Sequence, residues 1–361
     1  MGGRIRTDYE AVLRAAARPD RQRLMSWLVD TPLTAEGAVL SWVNPEHPGY
    51  TYPEAAGLLL ALLAQDIDDG PRMPRDRAAS QLARCRRIFE ALLADIDSRG
   101  AVGRDGVDYL FDSGIVLHGL LRLYDRLVEG IDDGALRSLA GVIERVYAGV
   151  LSGISTRRAI SGDAGDPPRW SEAWGCHLLK LALPLAAYSR TFATEADGRP
   201  AAAIRRLLSD LMPLAEGGRF VVYRGSARTY VHACCYAAEG LLAVEPTVDL
   251  RARPQAVATA TWLATIQQGD GSMLAWHDGD RAFGPRRSDI VGQCVRLWTV
   301  VDRHRFAPSI ARGLGHLATL QTPCGGLRYG PDCDDINTWA TIFAAQAIAW
   351  VEGDRRARWL V

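Results

Sequence analysis

Apolar residues recur at three- and four-residue spacing along most of this chain, and the segments that carry them alternate between two kinds. Twelve such segments are legible, at residues 7–29, 52–66, 76–97, 110–128, 134–152, 172–190, 199–214, 228–243, 254–268, 287–302, 307–320 and 335–351. The odd-numbered ones are amphipathic with charged faces, as in Leu82–Ala94 (LARCRRIFEALLA), which suits helices wetted on one side. The even-numbered ones are apolar nearly all round, as in Ala55–Ala64 (AAGLLLALLA) and Ala340–Trp350 (ATIFAAQAIAW), which suits helices surrounded by protein. Clean two-residue alternation is almost absent. The pattern predicts an all-α protein of six helical hairpins, with an inner ring of helices inside an outer ring.

Connections within the pairs carry turn chemistry: Asp97-Ser98-Arg99-Gly100, Gly269-Asp270-Gly271-Ser272 and Pro323-Cys324-Gly325-Gly326. The last two sit in similar frames, Trp262–Ser272 and Leu317–Gly326, where an outer helix ends in Gln before a Gly-rich turn. That is an internal repeat. Ser161–Arg169 (SGDAGDPPR) reads as a rim loop, because three hairpins alone would expose their inner faces. Residues 1–361 are therefore expected to form one catalytic domain.

With 42 basic and 42 acidic residues the chain has no long-range field to hold a polyanion, so nucleic acid is not an expected partner. No window approaches a membrane span, and Met1–Arg6 has no apolar run behind its arginines. The expectation is a soluble, cytoplasmic protein, with a homodimer possible. Seven cysteines, Cys85, Cys176, Cys234, Cys235, Cys294, Cys324 and Cys333, are scattered mostly through apolar stretches and read as buried free thiols.

If the inner helices run in parallel, their leading ends meet at one mouth. Aromatic and titratable residues collect there: Tyr52 and Glu54; Asp112; Trp170, Trp174 and His177; Tyr230, His232 and Tyr236; Asp289; and Asn337, Trp339 and Phe343, with Trp276 and Trp298 nearby in the sequence. Each has a bland reading. Asp112 and Asp289 could simply cap helices, His177 and His232 could be hydrogen-bonded core residues, and any one Trp could fill core. Asp332-Cys333-Asp334-Asp335 is denser than capping requires. Three carboxylates within four residues repel one another, which raises the pKa of at least one and favours an acid facing aromatic walls.

These residues resemble the helical-toroid proteins that include squalene-type terpene cyclases and protein prenyltransferase β subunits, which implies an all-α, single-domain (α/α)6 toroid. The stretch from Arg312-Gly313 to Gly325-Gly326, with Gln321, is similar to the glutamine-rich repeat of squalene cyclases, with Leu327 in place of Trp. Asp332-Cys333-Asp334-Asp335 matches the DxDD acid motif of class II terpene cyclases, with Ile336 where that family has Thr. The resemblance implies a non-redox cyclase of a terpene or meroterpenoid. Its substrate would be a hydrophobic isoprenoid chain protonated by Asp334 or Asp335, with Asp332 beside them and Asp112 as partner, terminating base or alternative acid. It needs no cofactor and no metal. A second class stays open, because Tyr52-Pro53-Glu54, Phe111-Asp112-Ser113-Gly114, His232 to Glu239-Gly240 and Asn337-Thr338-Trp339 also resemble toroid proteins of carbohydrate pathways. There His177, His232, Glu54 and Tyr52 would move protons on a sugar, as in an epimerase, isomerase or lyase. A zinc site drawn from Cys176, His177, Cys324 and His232 is a third reading, which no spacing enforces.

Overall fold

A computed structural model describes residues 9–47, 49–68, 75–128, 133–161, 169–192, 197–353 and 360. Met1–Arg6, and residues 162–168 of the expected rim loop, lie outside them. After a short α1 (Tyr9–Ala15) the chain makes six hairpins. They are α2 (Arg21–Asp30) with α3 (Pro53–Asp68), α4 (Arg75–Asp95) with α5 (Leu110–Leu127), and α6 (Asp133–Thr156) with α7 (Ala182–Thr191). Then come α8 (Arg199–Leu211) with α9 (Val231–Leu242), α10 (Ala252–Ile266) with α11 (Ser288–Asp302), and α12 (Ala307–Leu320) with α13 (Thr338–Val351). Each inner helix packs on the next, and α13 packs back on α3, which closes the ring. The sorting follows composition: every residue of α13 except Trp339 is buried, whereas α8 buries one stripe.

Close passage of two inner helices depends on glycine. A Cβ on Gly119 of α5 would lie 2.4 Å from the carbonyl oxygen of Gly57 on α3, and one on Gly57 would lie 2.6 Å from Ile115 O. Gly119→Ala should therefore force the helices apart and cost about 1–3 kcal/mol, the usual range for overpacking. A urea-unfolding midpoint equal to that of the parent chain would show slack at this crossing.

All strands among the described residues lie in the outer-to-inner connections, so they gather at one end of the ring. β1 (Trp42–Val43) is an edge of one sheet. The β2–β3 hairpin (Gly103–Arg104, Val107–Tyr109) takes β4 (Ile160–Ser161) alongside, and β5 (Ala215–Glu216) pairs with β6 (Arg219–Phe220). β7 (Thr229–Tyr230) pairs with β8 (Leu274–His277), and β8 with β9 (Ala282–Arg286). β10 (Arg328–Gly330) pairs with β11 (Cys333–Asn337), which also pairs with β1. These short strands were not expected from the helical periodicity, and extended backbone accounts for two of three corrected boundaries, a helix cap for the other. Expected helix 7–29 is two helices, broken before Asp20, whose side chain accepts from Arg23 N–H and starts α2. Expected helix 172–190 begins only at Cys176, because Gly175 is extended and bridges Tyr223; a 3-10 turn, Cys176–Leu181, then leads into α7. Expected helix 335–351 begins at Thr338, because residues 333–337 form β11.

The internal repeat has a mechanical role. Gln267, just after α10, donates to Gly271 O in its own turn and to Ser309 O near the start of α12. Gln321, just after α12, donates to Gly325 O and to Asp20 O at the start of α2, and accepts from Asp20 N–H. The same side chain thus ties neighbouring outer helices and also seals the last hairpin to the first.

Candidate active site

Five inner segments place a titratable residue or a tryptophan second in the helix: Glu54, His177, His232, Asp289 and Trp339. In α5 that place is taken by Phe111, with Asp112 next. Parallel helices starting at one level bring these residues to a common centre, where helix N-termini also favour negative charge. A cleft of about 250 Å³ opens there, lined by Trp42, Tyr50, Tyr52, Glu54, Phe111, Asp112, Trp170, Ser171, Tyr230, His232, Asp289, Tyr329, Asn337 and Trp339.

One wall is a run of edge-packed rings, with Trp42 to Tyr50 at 5.0 Å, Tyr50 to Tyr52 at 5.6 Å and Tyr52 to Trp339 at 5.4 Å. The facing wall is Trp170 against Tyr230 at 4.9 Å, backed by Trp276 at 4.7 Å from Tyr230. Phe111, Tyr236 and Phe343 close the floor. Asn337 uses its Oδ1 to cap α13, accepting from Ala340 N–H at 2.9 Å.

The titratable groups are arranged unequally. Glu54 accepts from the Tyr236 hydroxyl at 3.0 Å and from the Trp339 indole. Burial raises its pKa, while His232, these two donors and Lys180 oppose the rise. Asp112 has Tyr52 as its partner, but its Oδ2 is buried with no hydrogen bond, and burial and the neighbouring Glu54 raise its pKa well above the carboxylate range. His232 Nδ1 lies 3.0 Å from Asp289 Oδ2 as an ion-pair contact out of line for a hydrogen bond. His232 itself lines the cleft. His177 is fully buried beneath Phe111 and Trp170, both at 5.3 Å, and burial lowers its pKa to about 3, so it is a neutral imidazole.

Beneath the floor lies a polar cluster that sequence reasoning missed. Lys180 Nζ donates to Glu239 Oε2 at 2.8 Å, Arg296 Nη2 to Glu239 Oε1 at 2.5 Å, and Arg296 Nη1 to Gln346 Oε1 at 2.9 Å; the three charged side chains have no exposed surface. Lys180 Nζ also sits 4.2 Å from the centre of the Tyr236 ring, and Arg296 4.1 Å from that of Phe343. The signal was there: Lys180, Glu239 and Arg296 each interrupt a locally apolar stretch of an inner helical segment. Trp42 and Tyr329 were also missed, since both reach the cleft from strand connections.

Several expected site residues are elsewhere. Asp332 and Asp334 are exposed on the β10–β11 hairpin, and Asp335 pairs with Asn44 at 2.8 Å and His47 at 3.4 Å on the rim. None of the three lines the cleft. The physical reason is strand formation: pairing of 333–337 with β1 carries the carboxylates into solvent, which screens the repulsion expected to hold a proton. Trp298 is fully buried, with its Nε1 bonded to Ala260 O at 2.9 Å, and fills core. Trp174 is half-buried and not in the lining. Cys324 is exposed while Cys176 is buried, and among the described residues no three His, Cys, Asp or Glu side chains converge as metal ligands. Among the described residues no helix is long and apolar enough to cross a membrane.

Neither a protein-family model nor a curated protein matches the sequence. Solved structures do match its shape. A sugar epimerase from a ruminal bacterium superposes with a TM-score of 0.69 over 96% of this chain and 98% of that one, at 9% identity. The fold is an (α/α)6 barrel. Cellobiose 2-epimerase from Bacillus thermoamylovorans B4167 gives 0.66 at 10% identity, covering 94% and 98% of the two chains. Unsaturated glucuronyl hydrolase from Bacillus sp. GL1 gives 0.63 at 13% identity, covering 98% and 97%. At such identities the likeness is one of fold.

The terpene-cyclase expectation is thereby overturned. Its acid motif is a solvent-exposed hairpin, Gln321 serves the ring seam, and the barrels it superposes on carry carbohydrate activities.

Proposed function

We propose that this protein is a carbohydrate-active enzyme that moves protons on a single sugar unit, an epimerase or isomerase, with His232 as base and Asp112 as acid. The observation that carries the reading is the pairing of unlike groups in one aromatic-walled cleft. Burial raises the pKa of Asp112, while His232 has the Asp289 carboxylate 3.0 Å from its Nδ1. Apolar ring faces on both sides suit the C–H faces of a pyranose or an opened sugar, and Asn337 with the tyrosine hydroxyls suits its hydroxyls. The fold likeness to a sugar epimerase and to cellobiose 2-epimerase supports the same class.

The step balances with protein groups alone. His232 Nε2 takes the proton from the carbon beside the carbonyl, the C–H electron pair forms an enediolate, and Asp112 delivers its proton to the opposite face of that carbon. Asp289 stabilises the imidazolium so formed, and solvent exchange resets both groups.

The test is incubation in D2O with a panel of aldoses and reducing disaccharides, alongside aryl glycosides and 4,5-unsaturated uronides. One deuterium at the carbon next to the anomeric centre, with a new epimer or ketose, is the expected result. Cleavage of glycosides or uronides without exchange would replace epimerisation by bond breaking, and inertness towards every carbohydrate would remove the reading.

A further inference from the structure

We propose that the cleft takes an anionic sugar, whose carboxylate or phosphate group is received by Arg287 at the edge of the wall made by Tyr230 and Tyr329. The inference rests on the reading of the cleft as a sugar site and narrows the chemistry of what it holds.

The rim of the cleft is electrically two-sided. β7, β8, β9 and β10 contain no acidic residue, and Arg228, Arg286, Arg287 and Arg328 stand in or beside them. These strands meet at Arg287, where the neighbouring Ser288 Oγ donates to the carbonyl oxygens of Arg328 and Tyr329 at 2.7 and 3.1 Å. Asp278 and Asp280 lie in the turn between β8 and β9. The register, with His277 opposite Ala282 and Leu274 opposite Arg286, puts that turn at the far end of the hairpin from Arg287. The rest of the rim has the other sign: Asp105 and Asp108 belong to the β2–β3 hairpin, and Asp332, Asp334 and Asp335 to β11 and its turn.

Arg287 is the cation of this group that meets the cleft lining. Its backbone is fixed on both sides, the N–H donating to Met273 O at 3.1 Å and the carbonyl accepting from Val291 N–H at 3.4 Å as α11 begins. Its guanidinium carbon lies 4.1 Å from the centre of the Tyr329 ring, and Tyr329 lines the cleft. The same cation opposes the rise that burial gives the pKa of Tyr230 and of Tyr329, which places it near both hydroxyls. Among the described residues no carboxylate forms an ion pair with it, whereas the adjacent Arg286 reaches Asp270 at 3.9 Å. A guanidinium over a ring spends its face there and keeps its N–H edge for an acceptor. That planar fork matches two oxygens of a carboxylate or a phosphate.

The other candidates are already engaged. Arg104 lies 4.0 Å over Tyr50 on the facing wall, but its Nε meets Asp105 at 3.2 Å. Asp289, two residues beyond Arg287, is met by His232 Nδ1 at 3.0 Å and by Ile290 N–H at 2.8 Å.

The test reads binding, with no turnover required, through the fluorescence of Trp42, Trp170 and Trp339 in the lining. Glucose, galactose and mannose are each compared with their own uronate and their own 6-phosphate, and inorganic phosphate is titrated alone. One anionic form should bind about 10–100-fold more tightly than its neutral parent, the usual worth of hydrogen bonds to a charged group. The two arms show whether it is the carboxylate or the phosphate. Arg287→Gln should cut that preference by about tenfold or more, and R104Q should keep it. R287K keeps the charge without the fork and should weaken the preference, so it serves if R287Q does not fold. Equal affinity for neutral and anionic sugars overturns the inference. So does a preference that survives in both Arg287 variants or is lost in R104Q, and so does inorganic phosphate binding as tightly as the sugar phosphate. Anionic sugars bound tightly but never exchanged in D2O would remove the proposed reaction and leave this assignment standing. Exchange on neutral sugars with no anionic preference would do the reverse.

Discussion

Asp112→Asn should lower kcat on the responsive sugar by about 10²–10⁴-fold, the usual worth of a positioned general acid. KM should change far less, because Asn keeps the shape of a neutral carboxyl and its bond to Tyr52. The pH dependence has a definite sign. Asp112 works in its protonated form, and burial with the neighbouring Glu54 raises its pKa, so activity should persist through neutral pH and fall as pH rises through that raised value. Stability is linked the same way. With the folded pKa above the unfolded one, the contribution of Asp112 is full below the ordinary carboxylate range and is lost as pH rises through the native value. D112N should therefore be the less active protein and, on the alkaline side, the more stable one. Full activity in D112N would assign the acid elsewhere.

Glu239→Gln should cost about 3–5 kcal/mol, because it leaves Lys180 and Arg296 facing each other in the barrel centre without their shared anion. Urea unfolding measures this directly. Burial lowers the Lys180 pKa to about 8 even with Glu239 present, so part of the loss will be met by Lys180 giving up its proton, and the variant should be least stable at acidic pH. Replacing all three residues together, as K180M/E239L/R296M, should recover much of the stability, since an apolar cluster has no charges to desolvate. A midpoint for E239Q within error of the parent would show that water or another group already screens the cations.

The ring was legible in the sequence because its physical cause is local. A helix apolar on every side, such as Thr338–Val351, has nowhere to lie except inside protein, and six of them alternating with striped helices leave few other arrangements. Glu54, Asp112, His232 and Asp289 were legible as helix starts for the same reason. Their partnerships were not. Tyr236 and Glu54 are 182 positions apart, and no local pattern relates them. The Asp332–Asp335 string misled because its repulsion argument assumed burial, whereas the decisive fact, pairing of Ile336 and Asn337 with Val43 and Trp42, joins opposite ends of the chain. Lys180, Glu239 and Arg296 could have been found by asking why a charged residue interrupts a locally apolar stretch on each of three inner segments.

The Gln321 seam has a consequence for how such a chain can change. An open stack of repeats can shed or gain a unit at either end, because terminal units are already adapted to solvent. Here the joint between the last and first hairpins copies the joint between interior neighbours, so no hairpin is terminal in the physical sense. Deleting any one would strand two greasy faces and tear the shared mouth, which makes the sixfold closure an all-or-nothing property of the sequence.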